Sequence, residues 1–273
     1  GFTPDKPAAQ IANVHTIFNV TTTLLLLPFA NGLAYLATRI LPDLPQETPD
    51  SDVDRWFDSF FKGNKLGSSA MAIESLSRDV QSMLRLASKN VSAAFAAVQN
   101  GCKDGIEDIE QAEEEIDLYN SHISQKASRI LALELGAEDV NSVQQIYRIT
   151  GNVERIGDHA MNIAECAKEI EEKGIVFSHE ADRELSTLFS AVQEITHDAI
   201  TAFTTGDLAL AYRVEPLEEV IDALCDEMKL HHVDRLQQGI CTLHQGFVFN
   251  DLLTNFERVS DHCSNLAVAT IEL

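Results

Sequence analysis

The sequence predicts an all-α protein: one N-terminal membrane-type helix, a linker, then two tandem three-helix bundles. Three observations carry that reading. Beyond Met71, apolar residues recur at three- and four-residue spacing between Gly and Asn/Asp punctuation, the period of a helix with one buried face. One stretch occurs twice, 103 residues apart: Glu154-Arg155-Ile156-Gly157-Asp158-His159 with Asn162, and Glu257-Arg258-Val259-Ser260-Asp261-His262 with Asn265. Finally, the segment from Ile17 to Ile40 carries one charge, Arg39, at its end.

Taken in order, residues 1–10 contain neither a start methionine nor the basic region of a signal peptide, as expected of a sequence that begins inside a larger protein. Residues 17–40 would cover about 36 Å as a helix, enough to span a bilayer. Pro28, Asn31 and Gly32 fit a kinked membrane helix, the alternative being a buried hairpin. His15 and Asn19, one turn apart, are polar groups that would need protein partners at that depth. The predicted boundaries are 1–41 for the membrane segment, 42–70 for an acidic Pro-rich linker and 71–273 for the paired bundles. The linker is interrupted by Trp56, Phe57, Phe60 and Phe61, a short aromatic face suited to docking on a membrane surface or covering the top of the following bundle.

The bundles divide into 71–174 and 175–273. Helices are expected from Met71 to about Gln99, from about Asp104 to Leu135, and from Glu138 to Gly174. The second set runs from about His179 to Thr204, then to Gln238, then to the C-terminus. Gly136 and Gly239, again 103 apart, mark the matching stops.

Each copy of the repeated stretch is preceded by a second Glu-x-x-x-Asp pair, Glu113/Asp117 and Glu218/Asp222, these 105 residues apart. Four residues of helix put both carboxylates on one face, one turn apart. Relative to the stripe Ile146, Ile149, Val153, Ile156, Ala160, Ile163, the residues Glu154, Asp158 and Asn162 fall roughly 140° to 220° round, facing away from the core. Glu257, Asp261 and Asn265 share that phase, whereas the pairs on the preceding helices lie on the helix flank. With 43 acidic residues, random placement alone supplies roughly six or seven such spacings, so one pair means nothing. Four pairs in two matched sets point to two carboxylate ledges that bind metal. His159 and His262 lie about 100° from the preceding Asp and read as neighbours, not ligands.

Formal net charge is −23, and residues 1–41 carry +1, so the remainder is strongly acidic. Nucleic acid is excluded as a partner and cations are favoured. Five scattered cysteines read as reduced core residues of a cytosolic domain. Neither a glycine-rich phosphate loop nor a nucleophile beside a base is visible, which argues against an enzyme.

Two resemblances follow. Ala12-x-x-His15-x-x-Phe18-Asn19, Leu-rich sequence and Pro28-Phe29 resemble the end of the membrane domain of bacterial-type sodium/phosphate cotransporters, over some thirty residues. The Gln-Ser-Ser repeats of that family's ion sites are absent from this sequence. The two three-helix repeats, with Glu-x-x-x-Asp on second and third helices, are similar to the PhoU family of phosphate-signalling proteins. That resemblance implies multinuclear metal clusters, one on Glu113, Asp117, Glu154 and Asp158, the other on Glu218, Asp222, Glu257 and Asp261. Iron is implied foremost, with zinc, manganese, magnesium or calcium as alternatives, and Asn162 and Asn265 as auxiliary ligands. Together the resemblances imply a plasma-membrane protein that moves phosphate with sodium, its residues 42–273 cytoplasmic, regulating transport and pairing as a homodimer. The alternative is a free-standing adaptor acting on a transporter or kinase in trans.

Overall fold

Apolar stripes at helical spacing, closed by glycine stops, produce eight helices among the described residues. The computed structural model describes residues 7–26, 51–62, 68–101 and 105–273. In chain order the helices are α1 (Pro7–Leu26), α2 (Ser51–Phe61), α3 (Ser68–Asn100), α4 (Ile106–Leu131), α5 (Ala137–Lys173), α6 (His179–Thr205), α7 (Leu208–Gln237) and α8 (Leu243–Ile271). The chain divides at Ser51/Asp52 into two units.

The first unit holds α1, which covers only the start of the predicted membrane span. Among the described residues no helix is long and apolar enough to cross a membrane. The reason is compositional, because α1 interleaves His15, Thr16, Asn19 and Thr21 to Thr23 with its apolar positions. His15 and Asn19 are exposed on it. The apolar run that would complete the predicted span, residues 27–41, lies outside the described residues, as does most of the linker.

In the second unit α3, α4 and α5 form one three-helix bundle and α6, α7 and α8 another, as the repeat predicts. The helix that carries the repeated motif in each bundle, α5 and α8, also packs against its counterpart, and α3 touches α6. One continuous core results. Ile109, Ile116 and Ile123 of α4 and Val214, Ile221 and Met228 of α7 occupy matched buried positions, 105 residues apart. Between the bundles, Phe95 stacks on Phe189, and Phe256 meets Phe95 edge-on at 5.7 Å. Cys166, Cys225 and Cys263 are buried free thiols.

Local signals fix the ends. Gly101 and Gly206, also 105 apart, have φ of 87° and 69°, the left-handed conformation that stops α3 and α6. Ser178 and Asp207 cap the starts of α6 and α7, and Thr242 with Gln245 forms a capping box at α8. The aromatic helix α2 belongs to the bundle: Val53 is 2% exposed, Trp56 Nε1 donates to Ser75 Oγ at 3.1 Å, and Asp54 pairs with Arg129. Of its two predicted roles, the described contacts are those of a cover over the first bundle.

Candidate metal centres

The first ledge forms where the flank of α4 faces α5. Glu113 and Asp117 of α4 and Asp158 of α5 bring carboxylate oxygens within 4.8 Å of one another. A missing side chain permits that approach: a Cβ at Gly157 would stand 3.0 Å from Ile116 Cδ1 and 3.2 Å from its Cγ2. Burial, then the charges of Asp117 and Asp158, push the Glu113 carboxyl above its ordinary range. Burial and Asp117 raise Asp158 also, against partial relief from His159 and Arg155. Glu154 lies outside this tightest set but is electrically part of it, raised by burial and then by Asp158 and Asp117.

The second ledge repeats the plan. Glu218 and Asp222 of α7 and Asp261 of α8 gather their oxygens within the same 4.8 Å. Glu218 is pushed up to about 7, first by burial, then by the charges of Asp222 and Asp261. Asp222 is raised by burial and by Glu257 and Asp261, and its buried Oδ1 has no hydrogen-bond partner. One difference separates the ledges. Lys229 Nζ donates to Glu257 Oε2 at 2.8 Å and to Asp226 Oδ1 at 3.4 Å. The position in the first repeat that matches Lys229 is Ser124, so Glu154 has no such lysine.

Each ledge therefore consists of hard oxygen donors held together against their own repulsion, with one buried oxygen unsatisfied at the second. Such donor sets suit a divalent or trivalent cation. Carboxylate-only sets suit iron, manganese, magnesium and calcium better than zinc, which favours nitrogen and sulfur.

Asn162 is exposed and its Nδ2 donates to Asn255 Oδ1 at 3.3 Å, while Asn265 is exposed at the matching place. The motif histidines face the other repeat. His159 Nδ1 lies 2.9 Å from Asn255 Oδ1, and His262 Nδ1 lies 3.1 Å from Asn152 Oδ1. This junction was missed from sequence, although Asn152 and Asn255 share the 103-residue offset of the motif. Burial, with His159 and Arg155 adding, pushes the His262 ring down to about 4. His15 and Asn19 belong to the other unit.

Two bundles that each present a carboxylate ledge define a class of duplicated helical proteins equipped to hold cations. The PhoU domain pattern matches residues 80–167 and 185–270, both repeats and more than half of the chain. The chain belongs to the PhoU family. Phosphate-specific transport system accessory protein PhoU homolog 1 of Thermotoga maritima is 28% identical over 197 residues, covering 72% of this chain and 84% of that protein. The putative inorganic phosphate export protein YjbB of Salmonella typhimurium is 23% identical over 267 residues, covering 94% of this chain and 47% of its own length. The crystal structure of PhoU from Pseudomonas aeruginosa superposes with a TM-score of 0.70 at 24% identity, covering 74% of this chain and 96% of that one. At that identity it speaks for the fold.

Proposed function

We propose that this chain is a metal-binding regulator of phosphate transport and not an enzyme, with one cation cluster on each ledge. The observation that carries the reading is the doubled gathering of three carboxylates at matched positions in a PhoU-family chain. Glu113, Asp117 and Asp158 would hold the first cluster with Glu154 beside them. Glu218, Asp222 and Asp261 would hold the second with Glu257. Iron is the favoured metal. The cation supplies positive charge between the two helices of a ledge, and the protein positions carboxylates, keeps them partly from water and joins the bundles through α5 and α8. The relatives named for phosphate-specific transport accessory function support a role of that kind, exerted on a transporter in trans from the cytoplasmic face.

Metal content of the full chain by mass spectrometry tests the clusters. Asp117→Asn with Asp158→Asn removes the first complement, and Asp222→Asn with Asp261→Asn removes the second. Unchanged metal in either pair sinks that ledge as a site. Phosphate uptake and efflux in cells lacking the gene, complemented by each variant, test the regulatory part.

A second reading has one observation in its favour. The alignment to the phosphate export protein extends over 94% of this chain, past the limits of the PhoU repeats. On that reading the same domain acts in cis on a sodium-coupled phosphate transporter. Resistance of the full-length product to alkaline extraction from membranes supports the cis arrangement, and full release rejects it.

A further inference from the structure

The two bundles present the same groove, and one of them is filled. In the first repeat α2 lies over α3 and α4: Trp56 meets Ser75, Lys126 Nζ stands 5.1 Å from the Trp56 ring, and Arg129 pairs with Asp54 and covers Phe57. At the groove wall Lys126 is tied to Asp79 at 2.8 Å. The 105-residue offset carries Ser75, Asp79, Lys126 and Arg129 onto Glu180, Glu184, His231 and Asp234. All four line an open groove of about 590 Å³ between α6 and α7. Its wall repeats the first one in kind, His231 Nδ1 lying 2.7 Å from Glu184 Oε1. Met228 at its floor matches Ile123, which is fully buried in the first repeat, and Ile240 at its rim is 54% exposed.

The charges have been exchanged. Where α2 carries Asp52, Asp54 and Asp58 and sets Asp54 against Arg129, the open groove offers four carboxylates, Glu180, Glu184, Glu227 and Asp234, which outnumber its Arg183 and its Arg235, the latter already paired with Glu184 at 2.9 Å. A second copy of acidic α2 would meet like charge there.

We propose that the α6/α7 groove docks an amphipathic helix of a partner protein, with an apolar aromatic stripe like that of Trp56, Phe57 and Phe60 and with lysine or arginine where α2 carries aspartate. The stripe supplies the buried area, and the basic flanks meet Glu180, Glu227 and Asp234. The site is separate from both carboxylate ledges and does not depend on the metal reading.

The test uses the full chain and two fluorescent peptides, one with the sequence of residues 51–61 and one carrying Asp52→Lys, Asp54→Lys and Asp58→Lys. Fluorescence anisotropy at physiological salt is expected to show saturable one-to-one binding of the basic peptide, at least tenfold tighter than the native one. Asp234→Arg, an exposed change, is expected to weaken the basic peptide at least tenfold and to strengthen the native one. Leu224→Glu, in the groove wall, abolishes binding of the basic peptide. Failure of the basic peptide to bind, a preference for the acidic peptide, or indifference to both substitutions overturns the proposal. In the second case the occupant is α2 of another copy.

Discussion

His159 and His262, the same residue of two repeats, stack with ring centroids 5.6 Å apart and planes inclined by 21°. Each reaches across to the other repeat's asparagine, so the hydrogen bonds cross: His159 with Asn255, His262 with Asn152. The pairing is that of a symmetric dimer interface, drawn inside one chain.

Crossed pairing predicts crossed coupling. Asn152→Ala with His262→Ala should lose less stability than the sum of the single changes, by about 0.5–1.5 kcal/mol, and Asn255→Ala with His159→Ala likewise. Asn152→Ala with Glu171→Ala, which share no hydrogen bond here, serves as the control and should be additive. Urea denaturation of the three double mutants and their parents measures it, and coupling within a repeat instead of between repeats would contradict the junction.

Two groups pull stability in opposite directions on acidification. Glu218, raised to about 7, holds a proton in the folded state between pH 7 and its ordinary value near 4.5, so its cost at high pH disappears as pH falls through that window. His262, lowered to about 4, refuses a proton that the unfolded chain accepts below about pH 6.5, so its contribution is lost as pH falls toward 4. In protein stripped of divalent cations, Glu218→Gln should therefore raise the melting temperature at pH 8 and have little effect at pH 4.5. His262→Gln should flatten the acid side of the same curve. With solvent screening each effect is of order 1 kcal/mol, or about 2–4 °C. A melting temperature of Glu218→Gln below that of the parent at pH 8 would reject the repulsion assigned to the ledge.

Lys229 makes the two ledges unequal. Its ammonium occupies Glu257 and places a positive charge beside the second site, so Lys229→Gln should tighten cation binding there by about tenfold, roughly 1.4 kcal/mol. Ser124→Lys should weaken the first site to a similar extent. Titration calorimetry with Mn2+ distinguishes the sites once one ledge is disabled by its double substitution. Equal affinities in parent and Lys229→Gln would show that the lysine is electrostatically idle.

Gly157 sets the spacing of the first ledge. Its absent Cβ admits Ile116, which is fully buried, so Gly157→Ala should cost about 1–2 kcal/mol and push α5 away from α4. Ser260→Ala, at the matched position, should cost less, because a Cβ is already accommodated there. Cation affinity of the first ledge should fall in Gly157→Ala and that of the second remain unchanged.

The fold was legible because a 3-4 stripe encodes a helix locally and a repeated stripe encodes a repeated bundle. The predicted helix bounds fall within a few residues of those observed, the largest difference being α4, which ends at Leu131 where the pattern ran on to Leu135. The ledges were legible for the same reason, since i,i+4 spacing fixes relative direction on one helix. What the spacing could not give is the distance between helices. Glu154 and Glu257 share a face with Asp158 and Asp261, yet they lie outside the tightest sets, and Glu257 is claimed by Lys229 from another helix. The histidine junction and the groove over α6 and α7 likewise depend on residues about a hundred positions apart. The predicted membrane span begins in α1 and continues into residues 27–40, outside the described residues.

His159 adjoins Asp158 and His262 adjoins Asp261, so the two ledges are one peptide bond each from a shared ring pair. Sites that share a junction do not titrate as strangers. Were a cation to draw Asp158 toward α4, the adjoining His159 would turn with it, and through the stack His262. Linkage makes such an influence mutual, equal in free energy whichever ledge is loaded first. The duplication thus builds inside a single chain the kind of junction that separate subunits obtain by assembling.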